Sequence, residues 1–184
     1  MQMKRLVRLA PLLAVAVMAQ SASPARYSHE GKLLLPADYR EWVFLSSGFA
    51  MTYANDRSPA NPLFDNVFVN PAAYKAFLES GTWPDKTVLV LESRYSATKV
   101  SINKDGHVQT DVAGVEVHVK DASHGGWAFY GFAKGVKEGT LIPKTANCDS
   151  CHERNGAVDT TFVQFYPTLI EGAQSKGTFK AVEH

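Results

Sequence analysis

The run Cys148-Asp149-Ser150-Cys151-His152 contains the only two cysteines of the chain, and it restricts the possible folds more than any other feature. In a C-x-x-C-H motif, two thiols reach the two vinyl groups on one edge of a haem macrocycle, and the adjoining imidazole binds the iron from that side. Positions i, i+3 and i+4 share a helix face, so the spacing predicts a helical segment presenting Cys148, Cys151 and His152 together. Three other chemistries compete for these residues. A disulfide across so short a loop contributes little stability. A thioredoxin-like pair should open the first helix of a βαβ unit, and zinc needs two further ligands with no second cysteine pair to supply them. Each leaves something unexplained, so the expectation is covalent haem c, one per chain, with His152 as the metal ligand.

The N-terminus suits that chemistry. Lys4, Arg5 and Arg8 precede an apolar run from Leu9 to Ala19, too short to span a bilayer comfortably and further disfavoured as an anchor by Pro11. Small residues offer cleavage after Ala19, Ser21 or Ala25, and Ala25 is preferred. Residues 1–25 are therefore expected to be a signal peptide and residues 26–184 a single domain, periplasmic or secreted and free of the membrane after cleavage. Nineteen Lys and Arg against 18 Asp and Glu leave a net charge of +1, without the basic excess that nucleic-acid binding requires. Three Trp, seven Tyr and ten Phe supply large apolar faces for a core and for a planar cofactor.

The hydrophobic pattern predicts an α+β fold, an antiparallel sheet with peripheral helices and a helical C-x-x-C-H segment near the C-terminus. Pro36–Phe44 opens with Pro and Asp38 before an apolar run, which predicts a short helix. Residues 46–63 are rich in Gly, Ser, Asn and Pro, which predicts a loop. Asn70-Pro71 reads as a cap and first helical position, with Ala73, Phe77 and Leu78 at helical spacing before Gly81. Thr87–Leu91, His107–Lys120 and Gly126–Phe132 read as strands, the first two joined by a turn at Asn103–Gly106. In the second, Val115, Val117 and Val119 alternate with Glu116, His118 and Lys120, which predicts that His118 faces solvent. Phe162, Phe165, Tyr166 and Leu169 return to helical spacing, with Pro167 expected to kink or stop the run.

The sixth iron position separates electron transfer, which uses two protein ligands, from small-molecule binding at an open site. No Met follows His152, and Met51 is the one methionine beyond the leader. His29, His107, His118, His124 and His184 are the remaining candidates, of which His107 and His124 flank strands. An open sixth position is the preferred reading.

The segments LLLPADYREW, VFVNPAAY, SGTWPDKTVLVLE, GVEVHVKD, WAFY, CDSCH and VDTTFVQFYP, in this order from about Leu33 to Ile170, resemble the cytochrome P-460 family and its relative cytochrome c′-beta. The resemblance implies a β-rich fold with peripheral helices, one c-type haem, His152 as proximal ligand, a distal pocket for small nitrogen species, and often a homodimer. Hydroxylamine-oxidising members carry a haem-linked Lys immediately before the Glu that ends the TVLVLE-like strand. Here that position is Leu91, followed by Glu92, and Leu cannot form the link. The resemblance therefore favours the c′-beta type, with an apolar, open distal site that binds nitric oxide.

Leu91, Phe49, Phe68 and Trp127 are the candidate pocket residues, and Arg94 and Arg40 the candidate partners of the haem propionates. One alternative is an oxidoreductase acting on hydroxylamine or nitric oxide, with Glu92 or another carboxylate handling protons. A second is a periplasmic electron-transfer cytochrome with a separate redox partner.

Overall fold

Alternating β-branched and aromatic residues dominate the middle of the chain, and in the computed structural model they form one continuous antiparallel sheet. The structure describes residues 24–52, 61–122 and 125–181. The expected leader up to residue 23, His124 and His184 lie outside the described residues.

The strands are β1 (Arg26–Tyr27), β2 (Leu33–Leu34), β3 (Val43–Phe49), β4 (Leu63–Val69), β5 (Val88–Ala97), β6 (Val108–Asp121), β7 (Gly126–Phe132) and β8 (Glu138–Leu141). Their spatial order is β1-β2-β8-β7-β6-β5-β4-β3. Among the described residues three α-helices accompany them, α1 (Pro71–Ser80), α2 (Cys148–Asn155) and α3 (Pro167–Ser175). The α+β class and the helical C-x-x-C-H segment are as the pattern predicts.

Several local expectations change. Pro36–Phe44 contains only a 3-10 turn at Tyr39–Glu41, and the chain is extended from Val43 onward. The predicted loop at 46–63 begins inside β3, whose Ser46–Phe49 residues pair with Phe64–Val67 of β4. Asn70 stands at the start of α1 without capping it: its side-chain oxygen accepts the Val88 backbone N–H at 2.8 Å, fastening the helix entry to β5. The helical run from Phe162 stops before Pro167 as a 3-10 turn at Val163–Phe165, and Pro167 then opens α3, because a first-turn N–H has no intrahelical partner to lose.

Both faces of β5 and β6 are covered. On one, Val88, Val90, Val115, Val117 and Val119 pack with Leu33, Tyr39, Trp42, Tyr130 and Phe132. On the other, Leu89 and Val69 pack beneath Phe77 of α1 and Leu169 and Ala173 of α3. Glu116 and His118 belong to this second face, where helices cover one end and α2 borders a cavity over the rest. His118 is therefore only 14% exposed, contrary to the expectation of a solvent-facing residue. Alternation shows that the two faces differ, but not that the polar one meets water.

Candidate functional site

Asn147, in the left-handed conformation at φ 63°, reverses the chain so that α2 begins at Cys148. One turn later Cys151 and His152 share its inner side with Cys148, and all three line a cavity of about 460 Å³. That volume lies within the range of cofactor pockets. The opposite wall is the sheet. Ser46, Val67, Leu91 and Glu116 stand side by side across four strands. Gly48, Asp65 and Ser93 form the row on one side of them, and Leu89, His118 and Phe129 the row on the other.

His152 is held from several directions. Its ring centroid lies 4.4 Å from that of Phe162, 4.9 Å from Phe129 and 5.2 Å from His118. Nδ1–H donates to the Thr160 carbonyl at 2.8 Å, because a carbonyl can only accept, and this leaves Nε2 as the free lone pair. Burial, aided by His118 nearby, pushes its pKa down to about 4 against the opposing carbonyl, so the ring is neutral and ready to bind a metal at neutral pH. Burial and the carboxylates of Glu116 and Asp149 hold the Cys148 thiol above its ordinary value. Both cysteines are free thiols.

The carbonyl partner of His152 sits in an unusual loop. Asp159 and Thr160 are both left-handed, at φ 48° and 58°. Asp tolerates that region, but a β-branched residue is a real outlier there, and each such residue costs about 1–3 kcal/mol. Lys120 of β6 donates to the Trp83 carbonyl at 2.7 Å and pairs with the Asp159 carboxylate. The Trp127 indole N–H donates to the Asp159 carbonyl at 3.0 Å, and the Trp83 indole N–H to Thr161 Oγ1 at 2.7 Å. Gly156 packs against the loop so closely that a Cβ there would lie 2.5 Å from the Thr160 carbonyl carbon.

The expected site residues separate into two groups. Cys148, Cys151, His152 and Leu91 meet at the cavity, and Met51 joins them with its sulfur lying over Gly48. The others do not line it. Phe49 is 40% exposed and packs on Phe64 and His107, while Phe68 is on the opposite face of the sheet against Tyr39 and Phe44. Trp127 lies behind the Asp159 loop. Arg94 and Arg40 both bind Glu92, on the face of the sheet away from the cavity. Glu92 itself is 2% exposed there, so the proton-handling role falls away because successive strand residues point to opposite faces. His107 lies beside Ser96 at 3.3 Å, and His29 is exposed.

The cavity wall is also less apolar than expected. Glu116 neighbours Leu91 across the ladder, and Ser93 donates to Asp65 at 2.6 Å. His118 Nε2, 3.8 Å from Glu116 Oε2, holds that carboxyl below its usual range while burial opposes it. The same Nε2 is buried and has no hydrogen-bond partner among the described residues. Sequence reasoning missed Glu116 and Asp65, and the signal available for Glu116 was its parity with Leu91 across paired strands.

Paired thiols, a neutral imidazole with Nε2 free, and a cavity whose aromatic and aliphatic side chains stand beside a few polar ones fit a haem, and they define the class as a haem-binding α+β protein. The Cytochrome P460 family model matches residues 36–163, well over half of the chain. The chain therefore belongs to the cytochrome P460 family, whose members are haem proteins. No curated protein matches it significantly.

Proposed function

We propose that this protein is an exported c-type cytochrome of the c′-beta kind, binding a small nitrogen species such as nitric oxide at an open sixth position. The observation that carries the reading is His152. Its Nδ1–H is committed to Thr160, its Nε2 is free, and Cys148 and Cys151 share its cavity wall. Cys148 and Cys151 would hold the haem through thioethers and His152 through its iron, and by the resemblance Leu91 occupies the position of the cross-linking Lys. When bound, the haem supplies an iron able to take a diatomic ligand. Phe129, Phe162 and Leu91 give the cavity apolar walls, and Thr160 orients the proximal imidazole. The leader-like N-terminus supports export, and the resemblance supports a homodimer.

A second reading, a hydroxylamine or nitric oxide oxidoreductase, is favoured by Glu116. A carboxylate next to Leu91 in the ladder and paired with His118 could accept a proton from a bound N–H or O–H group.

The test is the holoprotein. Haem that stays with the polypeptide in acidic organic solvent, a five-coordinate high-spin ferric spectrum and stoichiometric nitric oxide binding are the expected results. Full haem extraction would overturn covalent attachment, and a low-spin six-coordinate spectrum would favour electron transfer. Sustained turnover of hydroxylamine with an electron acceptor would favour the enzyme.

A further inference from the structure

We propose that Lys120 and Asp159 are positioning residues for His152, acting through the backbone carbonyl of Thr160. The inference rests on the reading of His152 as the proximal ligand. Local sequence does not explain the loop, because Thr160 at φ 58° follows Asp159 at φ 48°, and a β-branched residue gains nothing from the left-handed region. Contacts from outside must therefore maintain it.

Those contacts converge on Asp159. Lys120 holds the Asp159 side chain, and Trp127 holds its carbonyl at 3.0 Å, so the residue before Thr160 is fixed at both ends. Gly156 closes the loop from the helix side, where a Cβ would come within 2.5 Å of the Thr160 carbonyl carbon. Lys120 is itself tied to Trp83 through a 2.7 Å bond and stands two residues beyond His118 on the cavity face of β6. The sheet thereby sets where the Thr160 carbonyl lies, and that carbonyl takes the His152 Nδ1–H at 2.8 Å. A short, well-aligned bond to Nδ1–H gives the imidazole more anionic character, which strengthens its hold on iron and favours the ferric state. Neither Lys120 nor Asp159 lines the cavity, so their influence on His152 travels through this one bond.

The test uses the holoprotein, reading the iron–imidazole stretching band of the ferrous form and the midpoint potential. Lys120→Met keeps the aliphatic stem and removes the ammonium; Asp159→Asn keeps tolerance of positive φ and removes the charge. Each should lower the stretching frequency and raise the potential, with Lys120→Arg close to wild type. If Lys120→Met does not fold, Asp159→Asn carries the same prediction alone. An unmoved band and potential in the variants that fold, with only thermal stability lost, would make the pair purely structural and overturn the proposal. A wild-type protein without the band, or a band surviving in His152→Ala, would instead overturn the reading of His152.

Discussion

Glu92 is a buried carboxylate whose environment fixes its charge. Burial alone would raise its pKa, but hydrogen bonds from Tyr39, Arg94 and Arg40 outweigh that and hold it below the ordinary carboxylate value. Its stabilising contribution is therefore complete above the unfolded pKa of about 4.3 and is lost as pH falls through the lower folded value. Glu92→Gln should cost about 1.5–3 kcal/mol at pH 7 in urea denaturation and flatten the acid limb of the stability profile. Leu91, its neighbour, faces the cavity instead. Leu91→Lys would set an amine beside Glu116, and its expected signature is a changed haem spectrum or a new covalent mass after oxidant treatment. At this scale the sequence disclosed Cys148, Cys151 and His152 because their chemistry lies in local spacing. Phe49, Phe68 and Arg94 do not line the cavity, and aromatic or cationic character alone does not reveal which side of a strand a residue occupies. Glu116 and His118 escaped because a polar stripe looks the same whether it meets water or lines a cavity.

Helix α2 and the loop after it behave as one element, joined where Gly156 touches Thr160. Gly156→Ala should destabilise the protein by about 1–3 kcal/mol, since the added carbon meets backbone that cannot rotate away, and should weaken the His152–Thr160 bond. Thermal denaturation together with the ferrous iron–imidazole band would measure both effects. Asn70→Ala should cost about 1–3 kcal/mol by leaving the buried Val88 N–H without its acceptor. β5, β6 and β7 were legible because valine alternation and the aromatic run are long. β3 was obscured by Ser and Gly in Ser46–Gly48, and β8 by having only four residues. The 3-10 turn at Tyr39–Glu41 took the place of a predicted helix because Trp42 and Val43 are drawn into extended structure.

In the whole molecule, two hydrophobic clusters lie on opposite faces of one sheet, and the cofactor cavity adjoins only one of them. Haem binds the folded chain, so its loss should lower the melting temperature. The effect should be uneven. In a Cys148→Ala/Cys151→Ala variant without haem, amide hydrogen exchange should accelerate in α2 and residues 156–163, while β5 and β6 remain protected. Uniform acceleration would mean that the sheet also depends on the cofactor. The fold class was legible because strand periods cluster in the middle of the chain; the double coverage was not, because it depends on which distant segments return to pack. The sheet also has two unlike margins. One ends in the two-residue strands β1 and β2, and the other in β3, where pairing with β4 shifts at Leu45. A regular outer strand offers a neighbouring chain an unbroken row of backbone donors and acceptors. The extra residue at Leu45 bends that row, so an incoming strand would fall out of register within a few residues. The irregularity that turns Ser46 and Gly48 toward the cavity thus also makes this rim a poor template for self-polymerisation.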